Sequence, residues 1–248
     1  MKVKILKMIG AYKNNLKNHG LKNVLYQQVL LALNKIIFLR GHRCLVISKV
    51  KESFLIIDSK FEHGFADKDK LFEFSIVKDN QLSHNFLNSS LPKGDKCYAL
   101  TEEGELASYG WYSNTDTKSD VKNLLFSFDP SYVYMYKGLT KNNYRGQRLH
   151  AIGMTLALKS FLELGPKGIV SYVDITNLDS LKSCMRMGYE QVGTIWVIEI
   201  FGTIFHSSSR GCKKYNMKFI NTESQISLKN INTINNTDYT QHNGTPPV

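Results

Sequence analysis

The stretch "NYRGQRLHAIG", from Asn143 to Gly153, decides how the chain is interpreted. Alternating residues before it, at 131–140, predict a strand, and a strongly apolar segment after it, at about 147–164, predicts a buried helix. Free backbone N–H groups and the helix dipole favour an anion at the start of such a helix. The stretch therefore has the outline of a phosphate-binding loop, although two large residues stand where small ones are usual: Arg148 and His150.

The rest of the pattern predicts a mixed α/β fold, because strands and helices alternate after an initial hairpin. Expected helices lie at 21–39, within 68–91 and at 177–187, the last capped by Asn177 or Asp179 and ended by Gly188. Expected strands lie at 43–49, 53–58, 96–113 (a hairpin turning at Glu103-Gly104), 168–175 and 189–202, the last bent at Gly193.

The positive charge is concentrated at one end of the chain. The 248 residues carry a net charge of +11, yet residues 1–51 hold eleven Lys and Arg and no Asp or Glu. The remainder holds 32 − 11 = 21 basic residues against 21 acidic ones. This asymmetry indicates an anionic partner such as a membrane surface, an acidic protein or nucleic acid. The alternative is a lysine-rich face that is only solvated.

Three regions follow from composition: a basic helical extension (1–41), a folded domain (42–220) and a polar tail (221–248) that is expected to be disordered. The four cysteines have neither zinc-site spacing nor a disulfide framework, so reduced thiols and no metal are expected. No apolar run reaches the length of a membrane span, and the N-terminus does not match a signal peptide. We therefore expect a cytoplasmic protein, with the inner membrane face as a candidate docking surface.

Two segments together resemble the acyl-CoA-binding half of the GNAT acetyltransferase superfamily. They are "YRGQRLHAIGMTLA" and "SYVDITNLDSLKSCMRMGYEQVG", and the resemblance spans roughly 96–202. The family's loop begins with Arg or Gln, as at Arg145. Its second motif has Asn-x-x-(Ala/Ser) and a final Gly-(Phe/Tyr), as at Asn177, Ser180 and Gly188-Tyr189.

The resemblance implies an α/β fold with a mixed, mostly antiparallel central sheet, in which strands 131–140 and 168–175 splay apart. It also implies acetyl-CoA or another acyl-CoA as co-substrate, with the pantetheine arm in the cleft between those strands. The implied donor-binding residues are the backbone of Leu139 and Thr140, the loop Arg145, Gly146, Gln147, Arg148, Leu149 and His150, and, from the next helix, Asn177 and Ser180.

Two positions of the loop depart from the family pattern. Arg148 is expected to add a charge-assisted contact to a CoA phosphate. Protein N-myristoyltransferases, which share the fold, also carry an Arg-x-x-Arg-Leu loop. His150 is expected to face solvent in the first helical turn.

Three residues are candidates for the chemistry. Cys184 stands where many family members have a tyrosine that protonates the leaving thiolate, although its position also suits packing. Asp174 is the candidate base, or else a cap for the next helix. Tyr189, like Ser180, is a further donor. The aromatic residues at 109, 111 and 112 fit either an acceptor pocket or the core.

Three functions remain open. The first is N-acyl transfer, with acetyl as the expected group, from acyl-CoA to a primary amine of a small molecule, amino sugar or amino acid. The second is an enzyme like the N-acyl amino acid or acyl-homoserine lactone synthases, which takes its acyl group from acyl carrier protein or long-chain acyl-CoA. The third is a basic module without catalysis, although no nucleic-acid-binding motif is present.

Overall fold

The computed structural model describes residues 12–34, 37–121 and 123–222. Eight strands form one sheet in the order β10-β9-β1-β8-β7-β4-β3-β2, and three short strands form a second sheet in the order β11-β6-β5. All neighbours in the large sheet are antiparallel except β7 and β8. Its strands are β1 (Phe38–Ile47), β2 (Phe61–Phe65), β3 (Lys96–Glu102), β4 (Glu105–Ser113), β7 (Val133–Thr140), β8 (Ile169–Asp174), β9 (Glu190–Ile200) and β10 (Thr203–Ser208). The second sheet contains β5 (Thr117–Lys118), β6 (Leu124–Ser127) and β11 (Lys218–Asn221).

The helices cover the sheet and connect its strands. Residues 12–19 are helical (α1). They are followed by α2 (Leu21–Leu33), α3 (Lys68–Ile76), α4 (His84–Ser90), α5 (Leu149–Glu163), α6 (Leu178–Met187) and α7 (Arg210–Lys213). None of the helices in the described ranges is both long enough and apolar enough to cross a membrane.

Alternating side chains give the large sheet two buried faces. Leu45 and Ile47 of β1 pack with α5 and α6 on one face. Cys44 and Val46 point the other way and pack against the second sheet. The nearly all-apolar α5 is buried because it connects β7 to the parallel β8 across the first face. The predicted fold class is confirmed: the sheet is mixed, mostly antiparallel, and its central parallel pair separates.

Several local signals have the expected outcome. The β3–β4 turn has positive φ at Glu103 (52°) and Gly104 (80°), the conformation of a tight hairpin. Asn177 caps α6, and Gly188 ends it with a φ of 98°. The register of β1 against β9 shifts beside Gly193, so the expected bend lies there.

Other predictions of secondary structure were wrong. The helix predicted at 21–39 ends at Leu33, since the chain from Phe38 pairs with β9 as β1. The strand predicted at 53–58 is a single 3-10 turn followed by a loop; buried Phe54 anchors it, and no strand in the described part of the chain pairs with it. The adjacent strand β2 at Phe61–Phe65, by contrast, was missed, as was the whole second sheet.

The structure also bears on the predicted regions. Because β1 begins at Phe38, the folded domain starts before residue 42. Asn221 belongs to β11, and the Thr222 N–H donates to the Asn123 carbonyl at 3.0 Å, so the described fold includes two residues of the predicted tail. Residues 223–248 lie outside the described part of the chain, and the prediction of disorder there stays a prediction.

Candidate functional site

The two parallel strands at the centre of the sheet stay together for only two residue pairs. Val133 lies opposite Ile169 and Tyr134 lies opposite Val170. Beyond these two pairs, β7 and β8 are no longer paired. The Ser171 hydroxyl donates to the Met135 carbonyl at 2.9 Å, which is the last bridge between them. Beyond this bridge a cavity of about 410 Å³ opens between β7 and β8. We call it the gap.

The backbone of β7 presents a free edge to this gap. The Lys141 N–H donates to the Ala107 carbonyl at 3.0 Å, and the Ser108 hydroxyl donates to the Leu139 carbonyl at 2.9 Å. The polar backbone groups of Leu139 therefore face β4. Those of Gly138 and Thr140, which alternate with it, face away from β4 toward the gap. The expectation for Thr140 fits this geometry, whereas the backbone of Leu139 points the wrong way.

A bulge in β7 determines which of its backbone groups face the gap. Tyr112 of β4 lies opposite Met135, but Trp111 lies opposite Lys137, so Tyr136 is an extra residue in β7. An extra residue reverses which backbone groups face each neighbouring strand. The carbonyl of Met135 consequently points to β8, and that of Leu139 points to β4.

The loop before α5 leaves its backbone donors free. The first helical hydrogen bond runs from the Ile152 N–H to the Arg148 carbonyl at 3.0 Å. The N–H groups of Leu149, His150 and Ala151 thus precede any helical partner, and no side chain caps this end. Leu149 is buried and fixes the start of the helix. This helix start can bind an anion.

Arg148 adopts a backbone conformation that favours glycine. Its φ is 61° and its ψ is 15°, in the left-handed region. A side chain in this region costs about 1 kcal/mol or more relative to glycine. The family pattern has a small residue here, and the structure gives the physical reason. In this chain the backbone keeps the glycine-like shape, and the Arg148 side chain is exposed at the start of the helix.

The C-terminal end of β7 leads into a second cavity of about 490 Å³ beside this loop. Leu139, Thr140 and Arg145 line it, together with two further cations, Lys78 and Lys141. We call the loop and this cavity the basic mouth; Leu139, which lines it, directly follows Gly138, which lines the gap. One acidic residue, Asp79, also lines this cavity.

His150 does not have the solvent-facing position that the sequence predicted. It is half-buried and lines the gap. A Cβ atom on Gly138 would lie 2.6 Å from its Cε1 atom, so the imidazole packs directly against the β7 backbone. The residue points inward because α5 is buried and its first turn lies under the free edge. Burial lowers the pKa of His150, which favours the neutral imidazole.

Two candidate donors lie on the helix side of the gap. Burial raises the pKa of the Cys184 thiol to about 11, so the thiol is protonated near neutral pH. This value is above the usual thiol pKa of about 8.5, which makes Cys184 a weaker acid than an exposed cysteine. The Tyr189 hydroxyl is buried and donates to the Met154 sulfur at 3.0 Å, and burial raises its pKa as well.

The remaining predicted residues combine lining and structural roles. One oxygen of Asp174 accepts the Thr176 N–H at 2.8 Å, as expected for a residue that shapes the turn before α6. The Asn177 side chain accepts the Ser180 N–H at 3.1 Å. All three polar residues at this end, Asp174, Asn177 and Ser180, also line the gap. The structure thus brings them together with His150, Cys184 and Tyr189.

The hairpin aromatics belong to the core. Tyr109, Trp111 and Tyr112 are almost fully buried within the apolar clusters beneath the sheet, which favours the packing interpretation. Glu102 of the same hairpin forms an ion pair with Lys60 at 2.9 Å and does not line the gap.

Sequence reasoning missed the aromatic side of the gap. Tyr134, Tyr136 and Tyr172 line it on the face opposite α5 and α6. The Tyr172 hydroxyl donates to Asp120 at 2.9 Å, and Asp120 pairs with Arg40 at 3.1 Å. The alternation of tyrosines in β7 was visible in the sequence, but it indicated only a packed sheet face.

A splayed parallel pair within a mostly antiparallel sheet, followed by a phosphate-type loop, is what the two motifs implied. The observed arrangement of strands and helices is the one that the resemblance to the GNAT superfamily implies. No protein-family model matches the sequence, and no curated protein matches it.

Among solved structures, the fold is similar to three proteins described as GNAT-related. A GNAT-family protein of Novosphingobium aromaticivorans has 10% identity and a TM-score of 0.46, over 70% of this chain and 67% of its own. A GCN5-related N-acetyltransferase-like protein of Streptococcus suis has 11% identity and a TM-score of 0.44, over 72% of this chain and 66% of its own. A GNAT-family acetyltransferase of Colwellia psychrerythraea has 12% identity and a TM-score of 0.46, over 65% of this chain and 56% of its own.

This chain therefore spans about two thirds or less of the length of these proteins. Identities and TM-scores this low do not identify an activity.

Proposed function

We propose that this chain is an N-acyltransferase that moves an acyl group from acyl-CoA to the primary amine of a small molecule. The observation that carries the proposal is the gap beyond Tyr134 and Val170, with one free backbone edge and a basic mouth. A pantetheine arm carries amide groups that need backbone partners, and its nucleotide end carries phosphates that need cations and N–H donors. Gly138 lines the gap and the next residue, Leu139, lines the basic mouth, so the two features follow one another along β7.

Different residues bind different parts of the acyl-CoA. Gly138 and Thr140 offer backbone N–H and carbonyl groups to the pantetheine amides. The N–H groups from Gly146 to His150 hold the pyrophosphate, with Arg148 and Arg145 as cations. Asn177 and Ser180 contact the donor from the start of α6, on the other side of the gap.

The candidate base and the candidate acid lie on opposite faces of the sheet. Asp174 alternates with Val173, so it shares the tyrosine-lined face with Tyr172. Cys184 lies on the opposite face, on α6. The amine approaches from the tyrosine face and attacks the thioester carbonyl; a C–N bond forms and the C–S bond breaks. Asp174, directly or through a water, accepts the amine proton, and the Cys184 thiol protonates the leaving thiolate.

The proposal is tested by binding first and turnover second. Calorimetric titration should show that CoA and acetyl-CoA bind the full chain, and release of free thiol should then be followed with a panel of primary amines. Binding and turnover with a short acyl-CoA support the proposal. Binding only of long-chain acyl-CoA or of acyl carrier protein shows that the donor is different. No interaction with any thioester overturns the assignment of the gap.

A further inference from the structure

The helix α2 has an apolar face that no described part of the chain covers. Leu21, Leu25, Val29 and Leu33 follow one another at intervals of four residues and form one stripe. Their side chains are 37% to 67% exposed. The opposite side of the helix is the attached one: Val24 and Leu30 are buried there, and Gln27 donates to the Thr176 carbonyl at 2.6 Å.

A second apolar projection lies at the same end of the sheet. The Ile37 N–H donates to the Leu33 carbonyl at 2.9 Å, and the following residue, Phe38, lies opposite Glu199 of β9. The β9–β10 turn therefore adjoins the end of α2. At its tip Phe201 is fully exposed and has a φ of 49°, a position where Asn or Gly would be favoured.

We call these exposed apolar side chains together the α2 surface: Leu21, Leu25, Val29, Leu33, Ile37 and Phe201. They come from the free stripe of α2, from the residue before β1 and from the neighbouring β9–β10 turn. Exposed apolar residues grouped in this way mark an interaction site more often than scattered ones do.

The charge of this end of the chain indicates the kind of partner. Lys13, Lys17 and Lys22 are exposed on α1 and α2. The sequence up to residue 51 holds eleven basic and no acidic residues, so it contributes the whole net charge of +11. A second copy of the chain would bring like charges together. An anionic surface would pair with the lysines while it takes up the apolar side chains.

We propose that the α2 surface docks on a bilayer that contains anionic lipids. The apolar side chains enter the headgroup region, and the lysines contact lipid phosphates and carboxylates. This attachment is peripheral, and it concerns a different part of the molecule from the gap. It does not depend on the proposed acyl transfer.

The proposal is tested by sedimentation of the full chain with vesicles. We expect binding to phosphatidylcholine vesicles that contain phosphatidylglycerol and none to pure phosphatidylcholine vesicles. Raising the salt concentration should weaken it, since the attraction is screened. Changing Lys13, Lys17 and Lys22 to Gln should weaken binding about fivefold per lysine, or about 100-fold in total.

A matched triple variant serves as the charge control. Lys68, Lys118 and Lys159 are exposed on other elements. Changing these three lysines to Gln removes the same amount of charge. Vesicle affinity should then stay within about threefold of wild type, because a lysine contributes about 1 kcal/mol only when it lies near the membrane surface. Equal losses in both triples would show that net charge alone causes binding, which overturns the assigned surface.

A double variant tests the apolar component. Leu25→Ser with Phe201→Ser should weaken vesicle binding about tenfold for each side chain. Ile76→Ser with Leu164→Ser is the control, because both residues are exposed on other helices or their ends. Circular dichroism of each variant establishes folding.

Three outcomes overturn the proposal. The first is a wild-type chain that does not bind anionic vesicles. The second is a dimer in light scattering that Leu25→Ser dissociates, which assigns the α2 surface to a second copy. The third is a chain that does not bind vesicles but binds acyl carrier protein, with the lysine changes abolishing that binding.

Discussion

The imidazole of His150 packs against the backbone of Gly138, so that a Cβ atom at residue 138 would lie 2.6 Å from His150 Cε1 and 2.9 Å from the Met135 methyl. The contact joins the first turn of α5 to the free edge of β7. It places a neutral ring beside the backbone groups that we assign to the pantetheine arm.

We expect Gly138→Ala to weaken acetyl-CoA binding at least tenfold. The added methyl group forces His150 and Met135 to move, and overpacking of this kind costs about 1–3 kcal/mol. The measurements are calorimetric titration with acetyl-CoA and the free energy of unfolding in urea.

Gly64→Ala is the matched control for this change. Gly64 is also a strand glycine, but a Cβ atom there would have no atom within 4 Å. It should change stability by less than about 0.5 kcal/mol and leave binding intact. If Gly138→Ala binds acetyl-CoA as the wild type does, the donor does not pass along β7.

Arg148→Gly should separate stability from donor binding. Glycine relieves the left-handed backbone of residue 148 and raises the free energy of unfolding by at most about 1 kcal/mol. Loss of the guanidinium should weaken CoA binding about tenfold or more. Arg148→Lys keeps a charge and should show the smaller binding loss without the gain in stability. A glycine variant that is both more stable and equally tight would remove Arg148 from the phosphate site.

The protein should lose stability as the pH falls below about 6.5, the usual histidine pKa. Burial lowers the pKa of both His150 and the fully buried His42, the latter against the opposing effects of Asp120 and Asp174. Below that pH the unfolded chain binds protons that the folded chain does not, so folding becomes less favourable.

His150→Gln and His42→Leu test this in urea titrations between pH 5 and pH 8. Each variant should flatten the slope of unfolding free energy against pH below 6.5, by up to about 1.4 kcal/mol per pH unit for each histidine. A slope identical to that of the wild type would show that the residue concerned does not cause the loss.

Cys184→Ala should lower kcat by about 10²-fold while KM for acyl-CoA stays nearly unchanged. The thiol, whose pKa is raised to about 11, is protonated throughout the neutral range and can act only as a donor. Arg145→Ala should do the opposite, raising KM with little effect on kcat. Steady-state kinetics of the two variants test these roles. If each variant changed kcat and KM to a similar extent, the roles assigned to Cys184 and Arg145 would be contradicted.

Much of the site could be predicted because its signals are local. Asn177 and Gly188 delimit α6 through short-range capping, and the alternation of β7 gives way to the period of α5 within one loop. The main strands and helices from 131 to 202 therefore followed from local patterns, whereas the gap between β7 and β8 was implied by the resemblance.

The rest depends on contacts between distant parts of the chain. The bulge at Tyr136 reverses the backbone sense of Leu139, and only the pairing with β4 reveals it. His150 points inward because the gap lies above it. The apolar run at 53–58 reads as a strand, but no described strand pairs with it, and the neighbouring Phe61–Phe65 pairs with β3 instead.

A crystal structure of the chain with bound CoA tests the central claim most directly. The account predicts the pantetheine arm between β7 and β8, its amides bonded to the backbone of Gly138 and Thr140. It also predicts the pyrophosphate at the N–H groups from Gly146 to His150. CoA bound elsewhere on the molecule, with β7 and β8 unchanged and the gap empty, would contradict it.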